Sequence, residues 1–183
     1  MGKLNREEAK ALLLEMTKGE SLLRHARSVE LVMEAYANKL GEDAEEWAIA
    51  GMLHDADYEA FPDQHPNIIV AKLKELREDK LAHAISAHYT KWGKEYTNTL
   101  DKALVACDEL TGFIIACAQV RPEGINQMAV KSVKKKLKQK SFAASVDREE
   151  INKGMEMLQA NEDEHISFII DVLEKNKEEL KIG

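Results

Sequence analysis

The chain has 183 residues, the size of one domain or of one domain with a small appendage. Its 26 lysines and arginines against 33 aspartates and glutamates give a formal net charge of −7, which argues against a protein that coats nucleic acid. Cys107 and Cys117 would lie roughly 15 Å apart along one helix, too far to pair, and unpaired thiols suit a reducing cytoplasm. No signal peptide and no run of membrane-span length is visible, so we expect a cytoplasmic protein without membrane contact.

Residues that favour helices dominate the sequence, and no stretch alternates with the period of two that a half-buried strand requires. The sequence therefore predicts an all-α protein. In chain order, we predict helices over about 5–16, 21–40, 43–53, 66–76, 81–92, 100–120, 129–139, from 147 onward, and over about 162–180. An irregular loop is predicted over 55–64, and a turn over 121–124.

The most informative stretch is His54-Asp55, which follows the apolar run 47–53. An imidazole and a carboxylate side by side can both bind a metal ion if other segments supply the remaining ligands. Candidate ligands can be found by asking which polar side chains share a face with apolar residues, since positions i, i+3, i+4 and i+7 lie together on a helix.

By this criterion, three further side chains are predicted to point toward the interior of the protein. His25 falls on an apolar stripe of its helix, and Asp108 stands among apolar residues on another. His83 and His88 are about 140° apart on one helix, so they cannot share a face; His88 is predicted to point inward and His83 outward. One such histidine is usually only a hydrogen-bonded core residue. Several buried histidines and aspartates together need more than hydrogen bonds among themselves, which favours a metal site.

The order His25, His54-Asp55, Asp108 resembles the H…HD…D signature of the HD superfamily of metal-dependent phosphohydrolases. The resemblance implies a single domain over 1–183: an HD helical bundle with its signature over about 22–112, followed by a C-terminal helical extension over about 121–183. It also implies that these four residues bind one divalent metal ion. In two-metal members, further histidines bind a second ion and the HD aspartate bridges the two; His65 and His88 match those positions.

The resemblance further implies that Asp55 orients a metal-activated water for attack on a small phosphorylated substrate, possibly a nucleotide. Asp57, or a histidine not bound to metal such as His83, would pass a proton to the leaving group. Many family members continue HD-x-Gly-Lys, whereas this chain has Asp57-Tyr58. The lysine often used beside the phosphate is absent, so the pattern does not name the substrate. Nor does it distinguish manganese, iron, cobalt, magnesium, nickel and zinc.

A lysine stripe is the main basic feature outside this signature. Lys131, Lys134, Lys135 and Lys138 share one helix face, which is either an ordinary solvated face or a surface that attracts phosphate. The candidate substrate-binding residues are Arg121 and three of these lysines: Lys134, Lys135 and Lys138. Tyr58, Phe61 and Trp92 are expected to serve packing, with stacking on a base as the alternative.

Two other functions are compatible with the same residues. A few HD-fold proteins use the histidine and aspartate cage for di-iron oxygen chemistry, so an oxygenase is one alternative. A non-catalytic module that binds a metal or a nucleotide is the other. No stable nucleic-acid complex is expected, and a homodimer is left open.

Overall fold

A computed structural model describes residues 3–183, and every regular element in that range is a helix. The all-α prediction is therefore confirmed. Ten α-helices follow in chain order: α1 Arg6–Met16, α2 Glu20–Leu40, α3 Ala44–Leu53, α4 Asn67–Glu75, α5 Asp79–His88, α6 Thr99–Gln119, α7 Val130–Leu137, α8 Arg148–Met157, α9 Glu162–Lys175 and α10 Lys177–Leu180. Single 3₁₀ turns occupy Pro62–Gln64 and Thr90–Trp92.

The chain divides into two compact units, residues 1–104 and 105–183. The boundary falls within α6, so this one helix contributes to both units. The prediction of a single domain over the whole chain stays a prediction. In the part of the chain that the structure describes, no helix is both long and apolar enough to cross a membrane.

The first unit is built on the close packing of α2 against α3. Gly51 on α3 makes this possible, because a Cβ there would stand 2.8 Å from the carbonyl oxygen of Val29 on α2. Large side chains complete the core around this contact, and the fully buried ones include Met33, Trp47, Ile49, Leu53, Leu73, Leu81 and Ile85. The contact between backbones brings the histidines of α2 and α3 toward each other.

The second unit has a core of its own. Gly154 on α8 lies against the backbone of Ala106, where a Cβ would come within 2.5 Å of the Ala106 Cα. His165 on α9 is buried, and its Nε2 lies 2.7 Å from the Ala106 carbonyl oxygen, so it has a structural role in this core. Phe113, Val133, Ile151 and Ile169 are among the fully buried apolar residues around these contacts.

Two predicted helices end earlier than expected. The helix predicted over about 81–92 ends at His88, because Tyr89 leaves the helical region and a 3₁₀ turn closed by Gly93 at φ 58° follows. The last helix is interrupted at Asn176, whose side-chain amide donates to the Val172 carbonyl oxygen at 2.8 Å. No proline marks either break, so the helical pattern of the sequence continues past both positions and predicts longer helices.

Candidate metal centre

His54 and Asp55 stand at the C-terminal end of α3. His54 caps this helix and has no exposed surface, while the Asp55 side chain is 28% exposed. A helix end leaves carbonyl groups without intrahelical partners. The Nδ1 atom of His54 uses one of them, at 2.7 Å from the Gly51 carbonyl oxygen. The apolar helix therefore delivers a fixed, buried imidazole next to a carboxylate that solvent can reach.

The two oxygens of Asp55 face different histidines. Oδ2 lies 3.4 Å from Nε2 of His54. Oδ1 lies 3.3 Å from Nε2 of His65 and 3.5 Å from Nε2 of His88. Within 4.8 Å of one another, Asp55, His65 and His88 each offer one metal-ligand atom. The carboxylate thus stands between two sets of donors, as a bridging ligand must.

His25 completes the Oδ2 side of this arrangement. It comes from α2, and its Nε2 lies 3.2 Å from Nε2 of His54. Because the Gly51 carbonyl oxygen can only accept, Nδ1 of His54 holds the proton and Nε2 holds a lone pair. Two ring nitrogens that face each other at this distance must share a proton or a cation.

Three of the histidines are oriented in the same way, through their Nδ1 atoms. In His54 and His88, Nδ1 lies 2.7 and 2.6 Å from the carbonyl oxygen three residues earlier, that of Gly51 and of Ile85. In His65, Nδ1 lies 2.7 Å from Oδ1 of Asp57. An acceptor on Nδ1 fixes the ring and makes Nε2 the nitrogen that can bind a metal, which is the usual arrangement around metal-bound histidines.

Asp57 has a supporting position in this arrangement. Its side chain has no exposed surface, and its two oxygens accept hydrogen bonds from Nδ1 of His65 at 2.7 Å and from the Ile69 backbone N–H at 3.0 Å. Those contacts hold the loop before α4 and turn His65 toward Asp55. Both oxygens are thus engaged away from solvent, which is the arrangement of a residue that positions His65, and the proton transfer expected of Asp57 stays a prediction.

Electrostatics favour an ionised Asp55. Burial acts to raise the pKa of its carboxyl, but the adjacent imidazoles of His54 and His88 more than offset this, so the pKa lies well below its usual range. An ionised carboxylate is the form that binds metal. Asp55 therefore carries the negative charge that a metal ligand needs, and no change in pH is required to produce it.

The distances also fit the size of a metal ion. Two ligand atoms bound at about 2.1 Å to one tetrahedral ion are about 3.4 Å apart. The separations between His25 and His54, and between Asp55 and each of its three histidines, run from 3.2 to 3.5 Å. Nitrogen and oxygen donors at these spacings suit a divalent cation on either side of Asp55.

Asp108 is half-buried on α6, four residues beyond Leu104, in the second compact unit. Its role as a metal ligand stays a prediction.

His83 and His88 lie on different faces of α5. His83 is about one-third exposed, and its Nε2 faces Oδ2 of Asp101 at 3.2 Å and the Glu95 carbonyl oxygen at 3.1 Å. His88 is buried, so the predicted inward and outward directions of these two histidines are confirmed.

The candidate substrate-binding residues belong to the second unit. Arg121 donates to the carbonyl oxygens of Gly124 and Asn126 at 2.9 and 3.1 Å, which anchors the turn after α6. Lys134 pairs with Glu162 and Asp163 at 2.7 and 2.6 Å. These contacts give both side chains structural partners, and their role in substrate binding stays a prediction. Lys135 and Lys138 are exposed and remain candidates: α7 ends at Leu137 and Lys138 caps it.

Aromatic neighbours of His65 were not anticipated as such. Tyr58 and Tyr89 pack at nearly right angles to the His65 ring, with ring centres 5.6 and 5.4 Å away. Tyr58 is 49% exposed and Phe61 is 36% exposed, so neither belongs to the core, and the packing expected of them would be within the loop. Tyr89 follows His88 directly, yet its side chain returns to His65 because α5 ends there. No periodicity in the sequence could have shown this contact.

Two comparisons with known proteins bear on this site. A family model described as HD domain matches residues 22–175, which includes every candidate ligand and most of the helical region after α6. Among solved structures, none matches the chain significantly.

Proposed function

The chain belongs to the HD domain family, and we propose that it is a metal-dependent hydrolase that cleaves a small phosphate ester, such as a nucleotide. The observation that carries this proposal is Asp55, whose two oxygens face histidines on opposite sides at 3.3 to 3.5 Å. A carboxylate that bridges two divalent ions is the central ligand of two-metal hydrolysis.

We assign the first ion to His25, His54, Asp55 and Asp108, the four residues of the family signature. The second ion is assigned to His65 and His88, together with the other oxygen of Asp55. Asp108 is included because it completes the H…HD…D pattern, and its position on α6 is that of a half-buried carboxylate among buried neighbours. Further coordination positions would be filled by water and by substrate oxygens.

Divalent ions at these positions would offset the charge of the phosphoryl oxygens and lower the pKa of a bound water toward neutrality. The chain's own residues have three tasks. Asp55, partly exposed, would accept a hydrogen bond from the attacking water and align it with the phosphorus–oxygen bond that breaks. His54 and His88 are held by backbone carbonyl groups, so they would keep their positions during the reaction. Asp57 would act as a positioning residue through His65.

Four imidazoles in the proposed ligand set favour borderline ions over magnesium, because imidazole suits iron, nickel and zinc better than magnesium. The same preference keeps a di-iron oxygenase as the second candidate. Oxygen consumption by the ferrous protein with an organic substrate, without phosphate release, would establish the oxygenase. Phosphate release with manganese or cobalt, without oxygen uptake, supports the hydrolase.

The direct test is phosphate release from a panel of phosphomonoesters, phosphodiesters and nucleotides, with the protein loaded separately with manganese, cobalt, magnesium, nickel, iron or zinc. Asp55→Asn is expected to retain its circular dichroism spectrum and to lose phosphate release. His83→Ala is the matched control, since His83 pairs with Asp101 instead of Asp55, and it should keep full activity. Absence of hydrolysis by the metal-loaded wild type across the panel would reject the proposal. Activity in Asp55→Asn equal to wild type would reject the role of Asp55.

We also propose that the protein acts in the cytoplasm, as a single functional domain, on a small phosphorylated molecule instead of a nucleic acid. Lys135 and Lys138 would attract that anion, since both are exposed on an otherwise acidic chain. Self-association would be measured by light scattering on the purified full chain.

A further inference from the structure

A second concave site lies in the first unit, between α4 and the segment that follows α5. It is a cavity of about 470 Å³, within the size range of small-molecule sites. Four residues of α4 at helical spacing form one wall: Asn67, Val70, Ala71 and Lys74. Ser86, Trp92 and Lys94 line the other side. None of these residues is a proposed metal ligand.

The charge of this cavity is opposite to that of the chain. Its lining includes Lys74 and Lys94 and no acidic residue. Another large cavity of the first unit, about 520 Å³ beside α1, is lined by one lysine and by the acidic residues Glu8, Glu15 and Glu78. With a net charge of −7 over the whole chain, a basic lining selects for an anion by local attraction.

Both lysines are available to a ligand. Lys74 and Lys94 are exposed, and neither forms an ion pair with a carboxylate anywhere in residues 3–183. Lys72, on the same helix, differs in this respect, since its ammonium pairs with Glu15 at 3.4 Å. Two unpaired ammonium groups that line one cavity are donors suited to a phosphate or carboxylate group.

An aromatic wall stands beside these cations. Trp92 is half-buried, and its ring packs at 85° to that of Tyr89, with centres 5.9 Å apart. Tyr89 in turn packs against His65. The indole is therefore held in place by neighbours while part of it still lines the cavity. An indole surface in a cavity whose lining also includes Val70 and Ala71 favours a planar ring over a flexible chain.

We propose that this cavity binds a small anion that carries a planar aromatic ring, such as a nucleoside 5′-monophosphate. The ring packs against Trp92, and the anionic group is met by Lys74 and Lys94. This proposal does not rest on the proposed hydrolase activity, because no metal ligand takes part in it.

The test uses the purified full chain and the fluorescence of its two tryptophans. Trp47 is fully buried, so a ligand that stacks on Trp92 changes one component of the emission. Each of the four common nucleoside 5′-monophosphates is titrated, together with the matching nucleosides and ribose 5-phosphate. We expect a saturable change with at least one nucleotide, and binding weaker by about tenfold or more when either the phosphate or the base is missing. Trp92→Phe should remove the fluorescence response.

Variants that change the charge of single lysines test whether the nucleotide binds in this cavity. Lys74→Glu and Lys94→Glu should each weaken binding by about tenfold or more, whereas Lys72→Glu should leave it unchanged. Lys74→Gln and Lys94→Gln serve if a glutamate variant fails to fold, as judged by circular dichroism. Asp55→Asn should bind as wild type does. The proposal is overturned if no nucleotide binds, if the variants at Lys74 and Lys94 bind normally, or if Asp55→Asn abolishes binding, which would place the ligand at the metal centre.

Discussion

Asp55 and Asp101 are both aspartates that face a histidine at 3.2 to 3.5 Å, yet their surroundings differ. Asp55 is partly exposed, and its partners are imidazoles whose Nδ1 atoms are already occupied. Asp101 is fully buried, and its Oδ2 accepts hydrogen bonds from the backbone N–H groups of Thr97 and Asn98 as well as facing His83. The imidazoles around Asp55 are oriented by acceptors on Nδ1, whereas Nε2 of His83 faces both Asp101 and the Glu95 carbonyl oxygen. The first arrangement is the usual one around metal-bound histidines.

The largest expected effect is at His54, which stands between His25 and Asp55. His54→Ala removes the donor on which both neighbours converge, so metal affinity should fall by more than about a hundredfold, beyond the loss expected for an outer-shell residue. Titration calorimetry with manganese or zinc would measure this. Wild-type affinity in His54→Ala would show that the ring is only a core residue.

Asp57→Asn should have the next largest effect. An asparagine can accept from His65 or from the Ile69 N–H, but its amide group cannot accept from the other. His65 or the loop then loses its support, and metal affinity should fall about 10- to 100-fold with the fold retained. The measurement is metal content after dialysis against a graded chelator. A pH–rate profile that loses one limb, with metal affinity unchanged, would instead restore Asp57 as a proton donor.

Asp101→Asn should lower stability and leave metal binding unchanged, which would distinguish the role of Asp101 from that of Asp55. Its charge helps to hold the segment before α6, through donors from Thr97 and Asn98 and through His83. We expect a loss of about 1–3 kcal/mol in the free energy of unfolding, because hydrogen bonds to a charged group are weakened. Denaturant titration measures it, and metal affinity of the folded variant should match the wild type. A large loss of metal binding would break the distinction between the two sites.

The smallest effect is expected at His83. Its side chain is about one-third exposed, and it is one of several partners of Asp101. His83→Ala should reduce the free energy of unfolding by at most about 1 kcal/mol, because Asp101 keeps its backbone donors. Thermal unfolding monitored by circular dichroism gives the value. A loss above that range would assign His83 to the core of the fold.

Much of this arrangement was visible in the sequence because it follows helical periodicity. The order of the helices, the burial of His88 and the exposure of His83 depend only on which residues share a face, and the structure agrees with them. The motif His54-Asp55 could be placed at the end of an apolar helix for the same reason. The ligand roles follow from the family resemblance and are tested by the metal affinities of the variants above.

What could not be predicted lies in loops and at ion pairs. Asp57 reaches His65 through an irregular segment of eight residues, so no repeat in the sequence relates them. Lys134 appeared available for phosphate because its acidic partners, Glu162 and Asp163, are almost thirty residues away. Arg121 is similar, since its acceptors are backbone carbonyl groups, which every residue has. Such contacts depend on the fold and not on residue type.

The acceptors on the Nδ1 atoms determine which amino-acid substitutions can alter this metal centre. Two of them are main-chain carbonyl groups of Gly51 and Ile85, which no side-chain substitution removes. The third is the Asp57 carboxylate, which a single codon change can alter. The orientations of His54 and His88 are thus protected against mutation, while that of His65 is adjustable. Variation in metal preference among descendants of this protein should therefore accumulate at position 57 before it reaches the ligands themselves.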